Sequence, residues 1–354
     1  MRIAHLTWSM GIGGIQTMLT GIVNEQVKAG HEVGVFVIDT YVSEAIMNKL
    51  DSRVKVFFMG RVRGTKPVWP FIKLNWQLWK YKPDIIHSHA GKLSKVVLTR
   101  TPMVATVHNM KSLPSNYRNY TKKFAVSEAV KKDWINKGCD ELIVIENGIP
   151  CSEIKCKKEY GASNTIHIVQ VSRIFFSPKR QDLVIMALAK LQKCMQKDSE
   201  LQRKKCIIHF IGDGNDMPKL KAIVDERKMQ EYVVFEGFRD RDWVYEHMCD
   251  YDLFIQPSDY EGFGLTVAEA CAAKLPVLVS DVDGPLEVID YGKLGMVFKH
   301  GDADDLCDQL ISFLNGGYDK SLIEKAYQNT IQKYDVSITA HRYLDEYEKV
   351  LNSK

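Results

Sequence analysis

The stretch DLFIQPSDYEGFGLTVAEACAAKLPVLVSD, residues 252–281, decides how this chain is read. DLFIQPS is a short apolar run of strand character, a helical pattern follows two glycines, and LPVLVSD is a second strand-like run. Together they spell strand, helix, parallel strand. Gly262 and Gly264 keep the helix from reaching back to Glu261, which leaves that carboxylate on a loop at the strand's carboxyl end. The helix is expected to start near Thr266 and to carry Glu269 in its first turn. Thr266 followed by Glu269 fits a capping box, in which the glutamate reaches back to a backbone N–H. It also fits a ligand site: N–H groups at a helix start favour an anion, and flanking carboxylates accept bonds from hydroxyls, as a sugar phosphate would require.

The same alternation extends outward in both directions. RIAHLTW, EVGVFVI, VKVFFM, DIIHSH, MVATVH, KFAVS and ELIVI come before residue 150, and IHIVQVS, CIIHFIGDG, YVVFEGF, DLFIQPS, LPVLVSD and GMVFK after it. Helical patterns separate them, as in successive βαβ units with parallel sheets. At 354 residues the chain exceeds one ordinary core. The turn-rich segment 146–163 marks a crossing between two open α/β domains, 1–150 and 151–335. A last helix over 336–354 is expected to pack back on the first domain. In open sheets ligands bind beyond the carboxyl ends of the strands, so two facing domains place a ligand in the cleft between them.

Composition narrows the class further. An apolar fraction of 45% and a charged fraction of 26% belong to a soluble globular protein, and no apolar run approaches the roughly 20 residues a membrane span needs. The opening MRIAHLTWSMGIGG reads as a first strand and a glycine turn rather than a signal peptide. Eight cysteines without a C-x-x-C pair argue for free thiols in a reducing cytoplasm and against zinc ribbons or disulfides. The net charge of +4 conceals an asymmetry: residues 1–150 hold 21 Lys and Arg against 11 Asp and Glu, and the remainder 27 against 33. One basic domain is expected to meet an anionic surface or partner, with nucleic acid not among the partners.

Three further groups carry chemistry. VSRIFFSPKRQDL follows a strand and brings Arg173, Lys179 and Arg180 ahead of a helix, where an Arg fork and a Lys point charge grip a diphosphate; alone, such a cluster is more often a solvated loop. GIGGIQTML follows the first strand, and its Gly11, Gly13 and Gly14 permit close backbone approach to a ligand. The spacing departs from the dinucleotide fingerprint, with Asp39 the acidic candidate for an NAD site. His87, His89 and His108 end strand-like runs, and a strand-end histidine is more often structural than catalytic. The three also suggest a metal trio, but no carboxylate or thiol joins them at ligand spacing, so no metal is expected.

With these residues in view, the chain resembles the retaining family-4, or group 1, glycosyltransferases of the GT-B fold. The resemblance runs through GIGGIQTMLTGIVNEQVKAGHEV, TVHN, AVSEAVKK, IENGIP, VSRIFFSPKR, FIGDGNDMPKL and VVFEGF in order, and is densest in SDYEGFGLTVAEACAAKLPVLVSDVDGPLEVI with its E-x7-E pattern. It implies transfer of a sugar from a nucleotide sugar, UDP-linked by family frequency, with retained anomeric configuration and no cofactor or metal. Glu269 is then similar to the residue that holds the nucleotide's ribose, and Glu261 to the one facing the donor sugar. Arg173 and Lys179 resemble the diphosphate grip, Gly14 the glycine lying against the donor phosphates, and His108 the histidine beside the anomeric carbon. The amides of Gly262, Phe263, Gly264 and Leu265 are implied to hold sugar and phosphate oxygens, and the loop at Phe238 and Arg239 the base. Asp283 with a single Gly284, and the paired Phe175 and Phe176, depart from the commoner pattern.

On the acceptor side, GRVRGTKPVWPFIKLNWQLWKYKPD, residues 60–84, interleaves three Trp with Lys and Arg. Such a segment lies on an anionic bilayer, or it packs Trp69, Phe71, Leu74 and Leu78 into a core while its lysines solvate the far face. The resemblance implies a glycan or lipid-linked acceptor in cell-surface polysaccharide synthesis, at the cytoplasmic face of a membrane. Rival readings are a nucleotide-sugar epimerase or hydrolase of the same fold, a nucleotide-sugar-binding module without turnover, and a dinucleotide oxidoreductase.

Overall fold

The computed structural model describes residues 1–110, 112–139, 142–160 and 163–353. Glu141 at the head of ELIVI, Gly161 and Ala162 of the expected crossing, and Lys354 of the last helix lie outside the described residues. The chain folds as two compact units. Met1–Pro150 joins with Tyr334–Lys354, and Cys151–Lys333 forms the other.

Each of the thirteen apolar runs holds a strand, and every paired strand is parallel. In the first unit β1 (Arg2–Thr7), β2 (Glu32–Asp39), β3 (Lys55–Arg61), β4 (Ile85–Ser88), β5 (Met103–Val107), β6 (Lys122–Ala125) and β7 (Ile143–Val144) lie in the order β3-β2-β1-β4-β5-β6-β7. In the second, β8 (Thr165–Val171), β9 (Lys205–Ile211), β10 (Val233–Gly237), β11 (Leu253–Gln256), β12 (Val277–Ser280) and β13 (Met296–Phe298) lie in the order β10-β9-β8-β11-β12-β13. Both are Rossmann-like sheets. The chain runs outward from a central strand, returns to its other side and runs outward again, so the order reverses between β1 and β4 and between β8 and β11. Crevices for ligands open at such reversals.

Helices cover both faces of each sheet, so central strands are buried throughout and read as near-continuous apolar runs. In the second unit Leu183, Leu188 and Leu191 of the helix Gln181–Met195 pack with Leu306 and Leu310 of the helix Ala303–Leu314 over Ile168, Ile208 and Phe210. Each such side chain contributes about 1.5–3 kcal/mol by leaving water. In the first unit the helix Val336–Asn352 places Tyr343, Leu344 and Tyr347 beside Ile3, Ile85, Val104 and Phe124. A Cβ on Gly148 would stand 2.5 Å from the Cα of Val336, so only glycine lets the helix seat this closely.

Among the polar residues buried within the strands are His5 and His87 in β1 and β4, and Gln170 and Gln256 in β8 and β11, all fully or almost fully buried. They stand on the strands that flank the two reversals. Buried polar groups must find partners, and those partners lead to the site.

Candidate functional site

At the β8/β11 reversal two loops meet. The loop after β8 carries Arg173 to Lys179, and the loop after β11 carries Asp259 to Gly264. Asp259 N–H donates to the Pro178 carbonyl at 2.9 Å, and Arg180 Nη1 donates to Asp259 Oδ1 at 2.9 Å. Lys179 Nζ is ion-paired with Glu261 Oε2. The buried glutamines hold each loop from below. Gln170 Nε2 donates to the Lys179 carbonyl at 2.9 Å, and Gln256 Nε2 donates to Ser258 Oγ at 3.0 Å and Glu261 Oε2 at 3.2 Å. Arg180, whose guanidinium is shared between Asp182 and Asp259, is therefore a brace. Arg173 is exposed, its guanidinium 5.9 Å from the Phe175 ring centroid and without a hydrogen-bond partner among the described residues.

Glycine is required where backbones cross. A Cβ on Gly212 would sit 1.9 Å from the Ser172 carbonyl oxygen, and one on Gly284 would sit 2.5 Å from that of Glu261 and 2.8 Å from Phe263 N. The single Gly284 of the VDGPLEVI stretch thus keeps the helix Asp283–Val288 against the Glu261–Phe263 loop.

The capping box does not form. The helix runs Leu265–Ala272 and is capped by Gly264 at φ 108, a conformation that glycine adopts without strain. It therefore starts one residue before Thr266, whose hydroxyl donates to Gln256 Oε1 at 3.4 Å, and Glu269 falls in the second turn instead of the first. Glu269 is 1% exposed. Arg241 Nη1 donates to its Oε2 at 2.5 Å, and Tyr245 OH to its Oε1 at 3.4 Å, both from the helix Arg241–His247. Burial opposes the charge of Arg241, but the Glu269 carboxylate holds the guanidinium above its ordinary pKa. Burial, then the Glu269 charge, raises the Tyr245 phenol. Just before this helix Phe238 is 53% exposed, and Arg239 lies 4.8 Å over the Trp243 ring and reaches Glu236 Oε2 at 3.4 Å.

Arg241 and Tyr245 escaped the sequence reading, because nothing in the charged run RDRDWVYEH singles them out. Gln170 and Gln256 did leave a signal, a lone amide inside IHIVQV and DLFIQ.

In the first unit Gly14 opens the helix Gly14–Lys28, which has Gly13 at its cap, no side-chain cap and no acidic residue in its first turn. Its N–H groups offer an anion site. Gly11 is fixed by the Tyr41 ring, which a Cβ would meet at 1.9 Å. Asp39, the candidate ribose acid of a dinucleotide site, is engaged by Arg61 at 2.6 Å and 3.1 Å. His108 follows β5, and its Nε2 meets His89 Nδ1 at 3.2 Å. Burial pushes His108 down to about 4. The suggested trio of His87, His89 and His108 is not what the fold assembles as a cluster. His5, His87 and His89 have ligand atoms within 4.8 Å of one another, because β1 and β4 pair His5 with His87. Every ring nitrogen of these three is hydrogen-bonded.

The helix Trp69–Tyr81 corrects the core-packing alternative. Leu74 and Leu78 are buried, but Trp69, Trp76 and Trp79 are 68%, 49% and 70% exposed, and Phe71 only half-buried. Trp69 stands ahead of Pro70 at the helix start, where it cannot turn inward with Leu74. Lys80 Nζ lies 3.8 Å over the Trp76 ring. Among the described residues no helix is long and apolar enough to cross a membrane, and all eight cysteines are unpaired thiols.

Comparison with known proteins agrees with this architecture. A family model described as Glycosyl transferases group 1 matches residues 153–330, and one described as Glycosyltransferase Family 4 matches residues 12–153. A sulfoquinovosyl transferase of Arabidopsis thaliana is 25% identical over 300 residues, 73% of this chain and 55% of the relative. A lipopolysaccharide 1,6-galactosyltransferase of Salmonella typhimurium is 22% identical over 343 residues, covering 89% of this chain and 90% of that protein. The chain spans about half the length of the first curated relatives it matches, 55% and 49%. Among solved structures, the Anabaena protein HepE in complex with UDP-glucose superimposes with a TM-score of 0.78 at 20% identity, covering 100% of both chains. That likeness is one of fold.

Proposed function

The chain belongs to the group 1, family 4 glycosyltransferases, and from that premise we propose that it moves a sugar from a nucleotide diphosphate sugar to a glycan or lipid-linked acceptor, with retention of anomeric configuration and without a metal. A UDP-sugar is the favoured donor, in keeping with the UDP-glucose bound by the Anabaena neighbour. The observation that carries the reading is the pairing at the β8/β11 reversal: Lys179 held against Glu261, with Arg173 exposed on the loop that leads to Lys179.

Departure of a nucleoside diphosphate concentrates negative charge on phosphate oxygens, and preorganised cations act where that charge develops. Arg173 and Lys179 supply it, with the amides of Gly262 to Leu265 adding fixed donors. The bond between anomeric carbon and diphosphate oxygen breaks. The acceptor oxygen bonds the same face of that carbon, and its proton passes to the departing phosphate oxygen. No enzymic nucleophile is needed, so Glu261 orients Lys179 and the sugar rather than attacking. Glu269, its rotamer set by Arg241, receives the ribose hydroxyls. Phe238 and Arg239 flank the base, and His108 meets the donor sugar. Purified protein incubated with UDP-, GDP- and ADP-sugars and a lipid-linked acceptor is expected to form one product of retained configuration, unaffected by EDTA. Consumption of donor without acceptor, yielding free sugar or an epimer, contradicts transfer.

The exposed Trp69, Trp76 and Trp79, with Arg63, Lys66 and Lys80 around them, favour peripheral contact with an anionic bilayer at the cytoplasmic face, where lipid-linked acceptors of cell-surface polysaccharides are presented. Arg61 belongs to the Asp39 pair and not to this surface. Co-sedimentation with phosphatidylserine vesicles is expected to disappear when Arg63, Lys66 and Lys80 become Glu. Undiminished binding rejects the contact.

A further inference from the structure

Three of the six histidines in the first unit are joined in series. His5 Nε2 bonds Gln26 Oε1 at 2.8 Å, His5 Nδ1 meets His89 Nε2 at 3.1 Å, and His89 Nδ1 meets His108 Nε2 at 3.2 Å. The row starts where Gln26 of the helix Gly14–Lys28 meets His5 of β1, both wholly buried, and ends on the half-buried His108. His108 Nδ1 has no hydrogen-bond partner among the described residues. His87 stands beside the row, its ring centroid 4.3 Å from that of His89, but is satisfied separately by Tyr347 and Thr106.

A neutral imidazole has one N–H donor and one bare nitrogen acceptor. A bond between two ring nitrogens holds one proton. In a row of neutral rings every link must therefore point the same way, and the anchor at one end fixes the tautomer at the other. A cation at His89 would donate to both neighbours and break that polarity. Burial, reinforced by His87 and His108, pushes His89 well below its ordinary value, and burial pushes His5 and His108 to about 4. The row is neutral at pH 7.

The anchor is an amide oxygen, which has no proton to give. His5 must then carry its proton on Nε2 and accept on Nδ1, and the same assignment passes to His89 and to His108. We propose that Gln26, His5 and His89 are positioning residues that lock His108 in its Nε2–H tautomer, so that its Nδ1 is presented to the donor sugar as a hydrogen-bond acceptor. This rests on the reading that His108 meets that sugar. The donor sugar must then bring its own O–H or N–H to the position facing His108. A deoxy analogue there leaves a bare buried nitrogen unpaired and is expected to be used at least about tenfold less efficiently.

The test is long-range ¹H–¹⁵N correlation on histidine-labelled, substrate-free protein at pH 7.5. His5, His89 and His108 are all expected as Nε2–H forms. Unlike tautomers within the row, or His108 protonated on Nδ1, overturn the proposal. Gln26→Met removes the anchor at nearly constant volume, and it also deletes an amide nitrogen that is buried without a hydrogen-bond partner, so the fold is expected to survive. Both tautomers should then appear at His108, with kcat/KM for the donor lowered between about two- and tenfold as the competent fraction falls. A His108 spectrum unmoved by Gln26→Met overturns the role of Gln26. The wild-type spectrum decides the tautomer even if the variant fails to fold. Absence of sugar transfer with the row intact would count against the functional reading alone, whereas transfer by a protein with unlike tautomers would count against the row alone.

Discussion

The two units share one strand logic and treat their reversals oppositely. The first holds imidazoles that burial keeps neutral, His5 within β1, His89 after β4 and His108 after β5, and binds them to one another. The second fills its crevice with charges held in pairs, Lys179 with Glu261 and Arg241 with Glu269. A row of neutral rings recognises hydroxyls by direction and repels no charge. Clamped cations and carboxylates recognise a charged ligand and gain most when that ligand gains charge. Similar sheets thus carry a row of neutral rings in one unit and paired charges in the other.

The largest expected effect breaks the charged half. Arg241→Met leaves Glu269 buried beside an apolar chain and should cost the second unit about 3–5 kcal/mol in urea unfolding. Adding Glu269→Leu should restore most of it. An unaltered midpoint in the single variant would mean the pair does not organise that unit.

The next effect sharpens the neutral half. His5 and His108 titrate near 4 when folded against 6.5 when unfolded. As pH falls from 6.5 towards 4 the unfolded chain takes up protons that the native rings refuse, so stability present above 6.5 is lost on acidification. His5 alone accounts for roughly 3 kcal/mol over that window. His5→Gln should flatten the slope of stability against pH, and an unchanged slope would show that the rings charge without unfolding.

Lys179→Ala is expected to lower kcat about a hundredfold while shifting stability by less than about 1 kcal/mol, because both partners of its pair are partly exposed. A rate loss under threefold removes Lys179 from the leaving-group site. The smallest effect belongs outside both halves: Trp76→Ser and Trp79→Ser should each move the unfolding midpoint by no more than about 0.5 kcal/mol. A larger loss would make those rings part of the core.

The strands were legible because parallel strands covered on both faces are apolar along their length, as in EVGVFVI and LPVLVSD. The glycine turn before the helix Leu265–Ala272 was legible because Gly264 takes φ 108, which glycine adopts without strain, whereas the close backbone approaches at Gly212 and Gly284 were not. Pairings across the fold were not. Lys179 and Glu261 stand 82 residues apart, and Arg241 finds Glu269 only once the helices on β10 and β11 are packed. Periodicity showed that the helix Trp69–Tyr81 has an apolar face but not that its tryptophans point away from it. The lone His5 inside RIAHLTW carried the same kind of signal as Gln170 and Gln256, a polar residue in a strand with no water to meet it. Only the register of β1 against β4 turned it into a row of rings.

The central claim is that Arg173 and Lys179 bind the diphosphate of the sugar donor. Calorimetric titration of UDP and of uridine into the wild type and into Arg173→Ala/Lys179→Ala tests it most directly. The account predicts that the wild type binds UDP far more tightly than uridine and that this margin largely vanishes in the double variant, with uridine binding preserved. An undiminished margin in the double variant would contradict it.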